Sequence, residues 1–279
     1  MTTVERYANP DFWDARFQGS EGLFDWYATY AELKDTFEEF YPAEQSKQSS
    51  PVLVVGCGNS AFSSELYAAG YLHITSIDIS ASAISKMQEQ FNLPGMSWQV
   101  MDATAMSFQD GTFNLAVDKG TLDAMMTSGS DEIAGAMVSE IWRVLQPDGL
   151  LILISHSGKR LKLLTDGWQC LELRRCRLSP QATFINMLRS KLPPGAPLRD
   201  AFQQPELLQE AGEEAKQALR KMAFIDAFRV FKARKRAQAG LSRTELVQAE
   251  EELRGAKDEG SDPRRQPFCW IYVLRKIAR

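Results

Sequence analysis

The sequence is poor in the residues that build metal and disulfide sites. Its four cysteines, Cys57, Cys170, Cys176 and Cys269, include no C-x-x-C pair, and its two histidines, His73 and His156, lie far apart. That spacing gives neither a zinc site nor a disulfide framework, so no metal is expected and the thiols read as buried and reduced. With no G-x-S-x-G elbow, a Ser-His-Asp hydrolase would have to rely on His156 alone as its base. There is no large excess of one charge: 32 basic residues stand against 36 acidic ones, a net charge of −4, which argues against a global grip on nucleic acid or anionic lipid. There is also no long apolar run. The stretch LLILI at 150–154 is far too short to cross a bilayer, and Glu5 and Arg6 stand where a secretory signal needs apolar residues, so a cytoplasmic protein without membrane contact is expected.

What is present suits an ordinary globular chain. Apolar residues make up 44% and charged ones 24% of 279 residues, enough for one to two domains. From residue 51 short β-rich runs alternate with helical patterns, the signature of a parallel sheet flanked by helices. Strands are predicted at 52–55, 73–79, 97–102, 113–119 and 150–155, with helices after the first, second and fourth. A turn at 147–149, PDG, precedes the fifth strand. Two further strand-like segments, 168–178 and 268–277, pair as an antiparallel hairpin. The 89 residues between them far exceed a normal hairpin loop and read as an insertion. The resulting organisation is an N-terminal segment (1–50), a core (51–178), a charged helical insertion (179–267) and a final core strand (268–279).

The strand and turn VLVVGCGNSAF carry the most information. A chain turning sharply from strand to helix while a ligand approaches its backbone needs residues without a Cβ, here Gly56 and Gly58, and the helix start then offers free N–H groups. Ala61 makes the motif G-x-G-x-x-A, which also fits a dinucleotide fold. Two acids add context. Asp78 ends the second strand, 20 residues after Gly58, where a carboxylate can accept both hydrogens of a ribose diol; Asp102 ends the third strand and could accept from an adenine amino group. Either acid could instead cap the helix that follows. Together, beside a glycine turn, they fit an adenosine ligand better.

Residues 5 to about 157 resemble the class I S-adenosylmethionine-dependent methyltransferases, and within them the methyltransferase-like proteins that act on lysine residues or the amino terminus of translation elongation factor 1-alpha. The motifs are YANPDFWDARF, FDWY, LVVGCGNSAFSSELYAAGY, SIDIS, MDAT, FNLAVDKGTLDAMM and EIWRVLQPDGLLILIS. The resemblance implies an α/β, Rossmann-like, seven-stranded methyltransferase sheet with helices on both faces and its last strand antiparallel, the insertion preceding that strand. It implies S-adenosyl-L-methionine as cofactor and S-adenosyl-L-homocysteine as product. Gly56 and Gly58 would touch the methionine part, Asp78 and Ile79 the ribose and adenine edge, and Asp102 and Ala103 the adenine. Lys119 falls where the family places cofactor and substrate contacts. Trp13, Phe17 and Trp26 match the family's aromatic lid, with packing against the core as the competing reading. No NPPY or DPPF follows the fourth strand, which counts against methylation of an adenine or glutamine amide by that route.

Methyl transfer from a sulfonium is an in-line displacement, so the protein mainly aligns the nucleophile and excludes water. A lysine acceptor must lose a proton, and Asp118 is the candidate catalytic carboxylate, with an ion pair or loop hydrogen bond supporting Lys119 as its alternative role. The expected partner is a protein substrate such as elongation factor 1-alpha. Two rivals remain at this stage: an NAD-dependent oxidoreductase, which lacks a suitably placed Y-x-x-x-K, and a non-catalytic adaptor, which would need neither acid. In the insertion, a long helix from Pro205 to about Ala239 carries five acidic and eight basic residues between 206 and 236, and a second helix lies near 242–257. The basic cluster KARKR at 232–236 is the one local patch that could meet an acidic protein or RNA.

Overall fold

The computed structural model describes residues 9–18, 22–41, 44–127, 131–164, 167–177, 206, 208–211, 213 and 268–277. Seven strands form one sheet: β1 (Val52–Val55), β2 (Ile74–Asp78), β3 (Met96–Val100), β4 (Phe113–Lys119), β5 (Leu145–Ser155), β6 (Trp168–Arg177) and β7 (Phe268–Lys276). Their order is β3-β2-β1-β4-β5-β7-β6. The first five run parallel, and β7 lies antiparallel between β5 and β6. The expected hairpin partners are therefore neighbours, with the last strand of the chain inside the sheet.

The alternation of side chains along β1 divides the core in two. Leu53 and Val55 join one cluster with Ala116, Leu151, Leu153, Tyr272 and Leu274; Val52 and Val54 join the other with Leu115, Val117, Ile152, Ile154 and Val273. These strands read as continuous apolar runs because both faces are covered. On the first face lies α7 (Asp131–Val144), whose Ala134, Met137, Val138 and Ile141 recur at helical spacing and are buried. On the second lie α2 (Tyr30–Phe40) and α4 (Phe62–Ala68). Leu33 and Phe37 pack with Phe62, Leu66 and Tyr71. Thus the segment before residue 50 contributes Tyr30, Leu33 and Phe37 to the buried core. A short helix, α3 (Glu44–Ser49), leads from α2 to β1.

The edge helices carry the segment that reaches the site. The helix α1 (Pro10–Gln18) packs on α5 (Ala81–Gln90), which follows β2. Asp14 Oδ1 accepts from Ser80 Oγ at 2.5 Å and Ser82 N at 2.9 Å, so a side chain of α1 helps cap α5. Lys86 Nζ donates to the Phe17 carbonyl at 2.5 Å. The predicted PDG turn is absorbed as an irregularity inside β5: the register to β4 shifts between Phe113 and Leu115, and Asp148 takes a φ of 61°. The predicted helices at 205–239 and 242–257 and the basic cluster at 232–236 lie outside the described residues, apart from a helical stretch at 206, 208–211 and 213.

Candidate active site

At the C-terminal ends of the parallel strands, where α/β sheets bind ligands, lies a cavity of about 350 Å³. All ten of the expected cofactor contacts line it: Trp13, Phe17, Trp26, Gly56, Gly58, Asp78, Ile79, Asp102, Ala103 and Lys119. Gly56 and Gly58 take φ values of 60° and 52°, a conformation costly for other residues. A Cβ on Gly56 would stand 1.9 Å from Thr121 Oγ1, and one on Gly58 would stand 3.2 Å from Phe17 Cζ. The glycines are thus needed where the β1 exit meets the start of α6 (Thr121–Thr127) and where Phe17 lies on the turn.

The two acids differ in setting. Asp78 is buried; its Oδ2 accepts from Gly58 N at 2.8 Å and its Oδ1 from Ser80 N at 2.9 Å. It therefore braces the glycine turn and fixes the backbone of Ser80, whose own Oγ caps α5 by accepting from Ala83 N, while bordering the cavity; its burial raises the carboxyl above its ordinary value against those two N–H bonds. Asp102 is exposed and lies in a local turn, its Oδ1 accepting from Thr104 N and Oγ1, both at 2.8 Å. The aromatic segment closes one wall: Trp13 and Phe17 stack at 5.8 Å between centroids, and the Arg16 guanidinium lies 5.9 Å from the Trp13 ring and 5.4 Å from that of Trp26.

One expectation changes. Asp118, the expected base, does not line the cavity. It is fully buried, and its oxygens accept from Thr121 N at 2.8 Å and Leu122 N at 3.0 Å. Burial pushes its carboxyl up to about 7 despite these bonds, and its geometry is that of a cap on α6. Lys119, a cavity residue, is not an uncommitted cation. Its Nζ sits 2.8 Å from Asp25 Oδ1 and donates to the Trp26 carbonyl at 3.0 Å, in a buried ion pair that ties the segment before α2 to the end of β4; Ser60 Oγ also donates to Asp25.

Sequence reasoning did not single out Asp25, Tyr27 or Asp123. Asp123, on α6, is buried and borders the cavity. Its Oδ1 accepts from Ser155 Oγ at 2.6 Å and from Arg160 Nε at 2.8 Å and Nη2 at 2.6 Å. Its Oδ2 accepts from Tyr27 OH and from His156 N, both at 2.8 Å, and lies 2.9 Å from His156 Nδ1. Burial works to raise its carboxyl, but His156, Arg160 and Ser155 hold it down at about 2.

The donor set fits S-adenosylmethionine: a Cβ-free cradle, a buried carboxylate at the end of β2, a second at the end of β3, and aromatic rings over the turn. Residues 53–153 match the family model for a methyltransferase domain. The eEF1A lysine and N-terminal methyltransferase of Danio rerio is 38% identical over 174 residues, covering 60% of this chain and 24% of that protein. The mouse EEF1A lysine methyltransferase 4 is 30% identical over 171 residues, covering 57% of this chain and 65% of that protein. The chain thus spans about a quarter of the first relative and under two thirds of the second. The solved structure of the [4+2]-cyclase SpnF superposes with a TM-score of 0.53 over 99% of this chain and 93% of that one at 14% identity, a likeness of fold alone. Glycine turn, strand-end acids and strand order agree with the family match: residues 53–153 carry a methyltransferase domain, and the cavity residues fit S-adenosylmethionine.

Proposed function

We propose that the protein transfers a methyl group from S-adenosylmethionine to a lysine side chain of a protein, with elongation factor 1-alpha as the acceptor. The observation that carries this reading is the cavity itself, which joins two strand-end acids suited to an adenosine to a second end walled by Trp26, Tyr27 and Met125. The names of the relatives above support the acceptor, and the protein is taken to work in the cytoplasm beside it. Among the described residues no helix is long and apolar enough to cross a membrane.

Bound cofactor supplies an electrophilic methyl carbon; the chain's own residues do the rest. Asp78 accepts from the ribose hydroxyls through its remaining lone pairs, with Ile79 against the adenine edge, and Asp102 with Ala103 holds the adenine. Gly56 and Gly58 let the backbone approach the amino-acid part. Trp13, Phe17 and Trp26 shed water from the cavity, and the Lys119–Asp25 pair keeps that segment seated. The insertion at 179–267, joined to the last two strands, selects the acceptor protein.

Calorimetry with S-adenosylhomocysteine and NAD, followed by labelled-cofactor transfer to recombinant elongation factor 1-alpha and mass spectrometry of the product, tests this. Homocysteine-form binding without NAD binding, and label on a lysine, is the expected result. Tight NAD binding with no response to S-adenosylhomocysteine sinks the methyltransferase reading, and label found only in small molecules sinks the protein acceptor.

A further inference from the structure

The strand order puts the ends of β4 and β5 on the opposite side of the glycine turn from the end of β3. The adenosine acids thus occupy one end of the cavity and the residues following β5 the other. His156 follows β5 directly, its ring lines the cavity, and its side chain is 48% exposed. Asp123 Oδ2 holds this residue twice, through the backbone N–H and through Nδ1. Tyr27 OH, 3.3 Å from Nδ1, shares the same carboxylate oxygen. Nε2 has no partner among the described residues.

The position of Tyr27 is a second, independent observation. It takes a φ of 66°, a left-handed backbone conformation that a bulky non-glycine residue seldom holds. Its ring is seated on the backbone after β4, where a Cβ on Gly120 would stand 3.1 Å from Tyr27 Cε2. A strained residue from the N-terminal segment is therefore fixed onto the carboxylate that orients an imidazole at the cavity wall. Strain of this kind is retained where the surrounding structure requires it.

We infer that His156 is the acceptor-side catalytic base, with Asp123 and Tyr27 as the residues that position it. This rests on the lysine reading above. Asp123 receives the Nδ1–H, which leaves the Nε2 lone pair to take a proton from the incoming ammonium, the arrangement by which a carboxylate fixes an imidazole tautomer. The freed amine then attacks the methyl carbon: the nitrogen–carbon bond forms as the carbon–sulfur bond breaks, its electron pair returning to sulfur, which becomes a neutral thioether. The imidazolium releases its proton to solvent across its exposed edge.

Among the described residues, the charged and titratable groups facing the ring are Tyr27 from the segment before α2, Asp123 from α6, and Arg160 on the far oxygen of Asp123. None of them can do the same work. Asp123 is held ionised by six contacts, and burial, with the Asp123 charge, pushes the Tyr27 hydroxyl well above an ordinary phenol, so it remains a donor. Asp118 does not line the cavity.

Two readouts test the inference. The first needs no turnover: nitrogen-resolved NMR of the protein bound to S-adenosylhomocysteine, with exposed His73 as internal reference and His73→Gln for assignment. The neutral His156 ring should carry its proton on Nδ1, shifted downfield by the Asp123 carboxylate; a ring protonated on Nε2 instead overturns the role. The second compares wild type with His156→Gln in transfer to elongation factor 1-alpha from pH 6 to 10. The variant should bind S-adenosylhomocysteine within about twofold of wild type, yet transfer about 100-fold more slowly at pH 7. The deficit should close as pH nears the ordinary lysine value of about 10.4, where the amine loses its proton unaided. A deficit that is the same at every pH, or none at all, overturns the base. If wild-type enzyme binds S-adenosylhomocysteine but leaves the factor unlabelled, the acceptor reading fails by itself, and the tautomer decides the role of His156.

Discussion

Asp123 receives contacts from residues 27, 155, 156 and 160, which reach it from two separate parts of the chain. Its folded value of about 2 lies below the usual carboxylate range, so it contributes stability that is present above about pH 4 and lost as pH falls toward 2. Asp123→Asn should leave the buried Arg160 guanidinium without its counter-charge and cost about 3 to 5 kcal/mol at pH 6. In urea unfolding, the gap between wild type and variant should narrow by on the order of 1 to 2 kcal/mol between pH 5 and pH 3. A gap that does not change with pH would mean that Asp123 is not held ionised. The strand-end residues Gly56, Gly58, Asp78 and Asp102 were legible in the sequence because local rules suffice: each sits within three positions of the end of a strand-like run. Asp123 was not. Its neighbours in sequence resemble any amphipathic helix start, and its meaning comes from Tyr27 and Arg160, which only the fold brings to it. Asp118 misled for a related reason: a carboxylate at a strand end reads the same whether it faces a ligand or the helix that follows.

At the scale of elements, β1, its glycine turn and α6 act as one joint. Thr121 Oγ1 donates to the Val55 carbonyl at 3.0 Å, which requires the α6 start to approach the turn as closely as Gly56 permits. Gly56→Ala should therefore combine left-handed backbone strain of about 1 to 2 kcal/mol with an overpacking cost of about 1 to 3 kcal/mol. Gly135 gives the opposite case. It lies within α7, and nothing stands within 4 Å of an added Cβ. Gly135→Ala should stabilise by about 0.5 to 1 kcal/mol. Thermal melting of the two variants checks both signs, and a Gly56→Ala protein as stable as wild type would refute the joint. The periodicity that revealed α7 and the short β-rich runs that revealed β1 to β5 are properties of short windows, and so were readable. The role of α2 was less so, because its amphipathic face resembles that of any surface helix until Phe62 and Tyr71 cover it.

For the whole molecule, the question is how a sheet tolerates a long excursion between its last two strands. Arg177 and Phe268 are register partners at the end of the β6–β7 ladder, so the chain leaves and re-enters the sheet at adjacent positions. Replacing residues 181–265 with a short glycine-containing turn should preserve the sheet and leave S-adenosylhomocysteine affinity within about threefold, since a tight loop is the natural hairpin connection. Transfer to elongation factor 1-alpha should fall sharply. Circular dichroism and calorimetry check the first part and labelled transfer the second; full activity would make the excursion dispensable to catalysis, and failure to fold would make it core. The same placement bears on synthesis at the ribosome. Because β7 is the only sheet neighbour of β6 among the described residues, β6 lacks that partner when it first emerges, and β5 presents an open edge. At about 5 to 20 residues per second, translation of 178–267 separates β6 from its partner by roughly 5 to 20 seconds. For that interval the nascent protein has a finished cofactor crevice and an unfinished sheet.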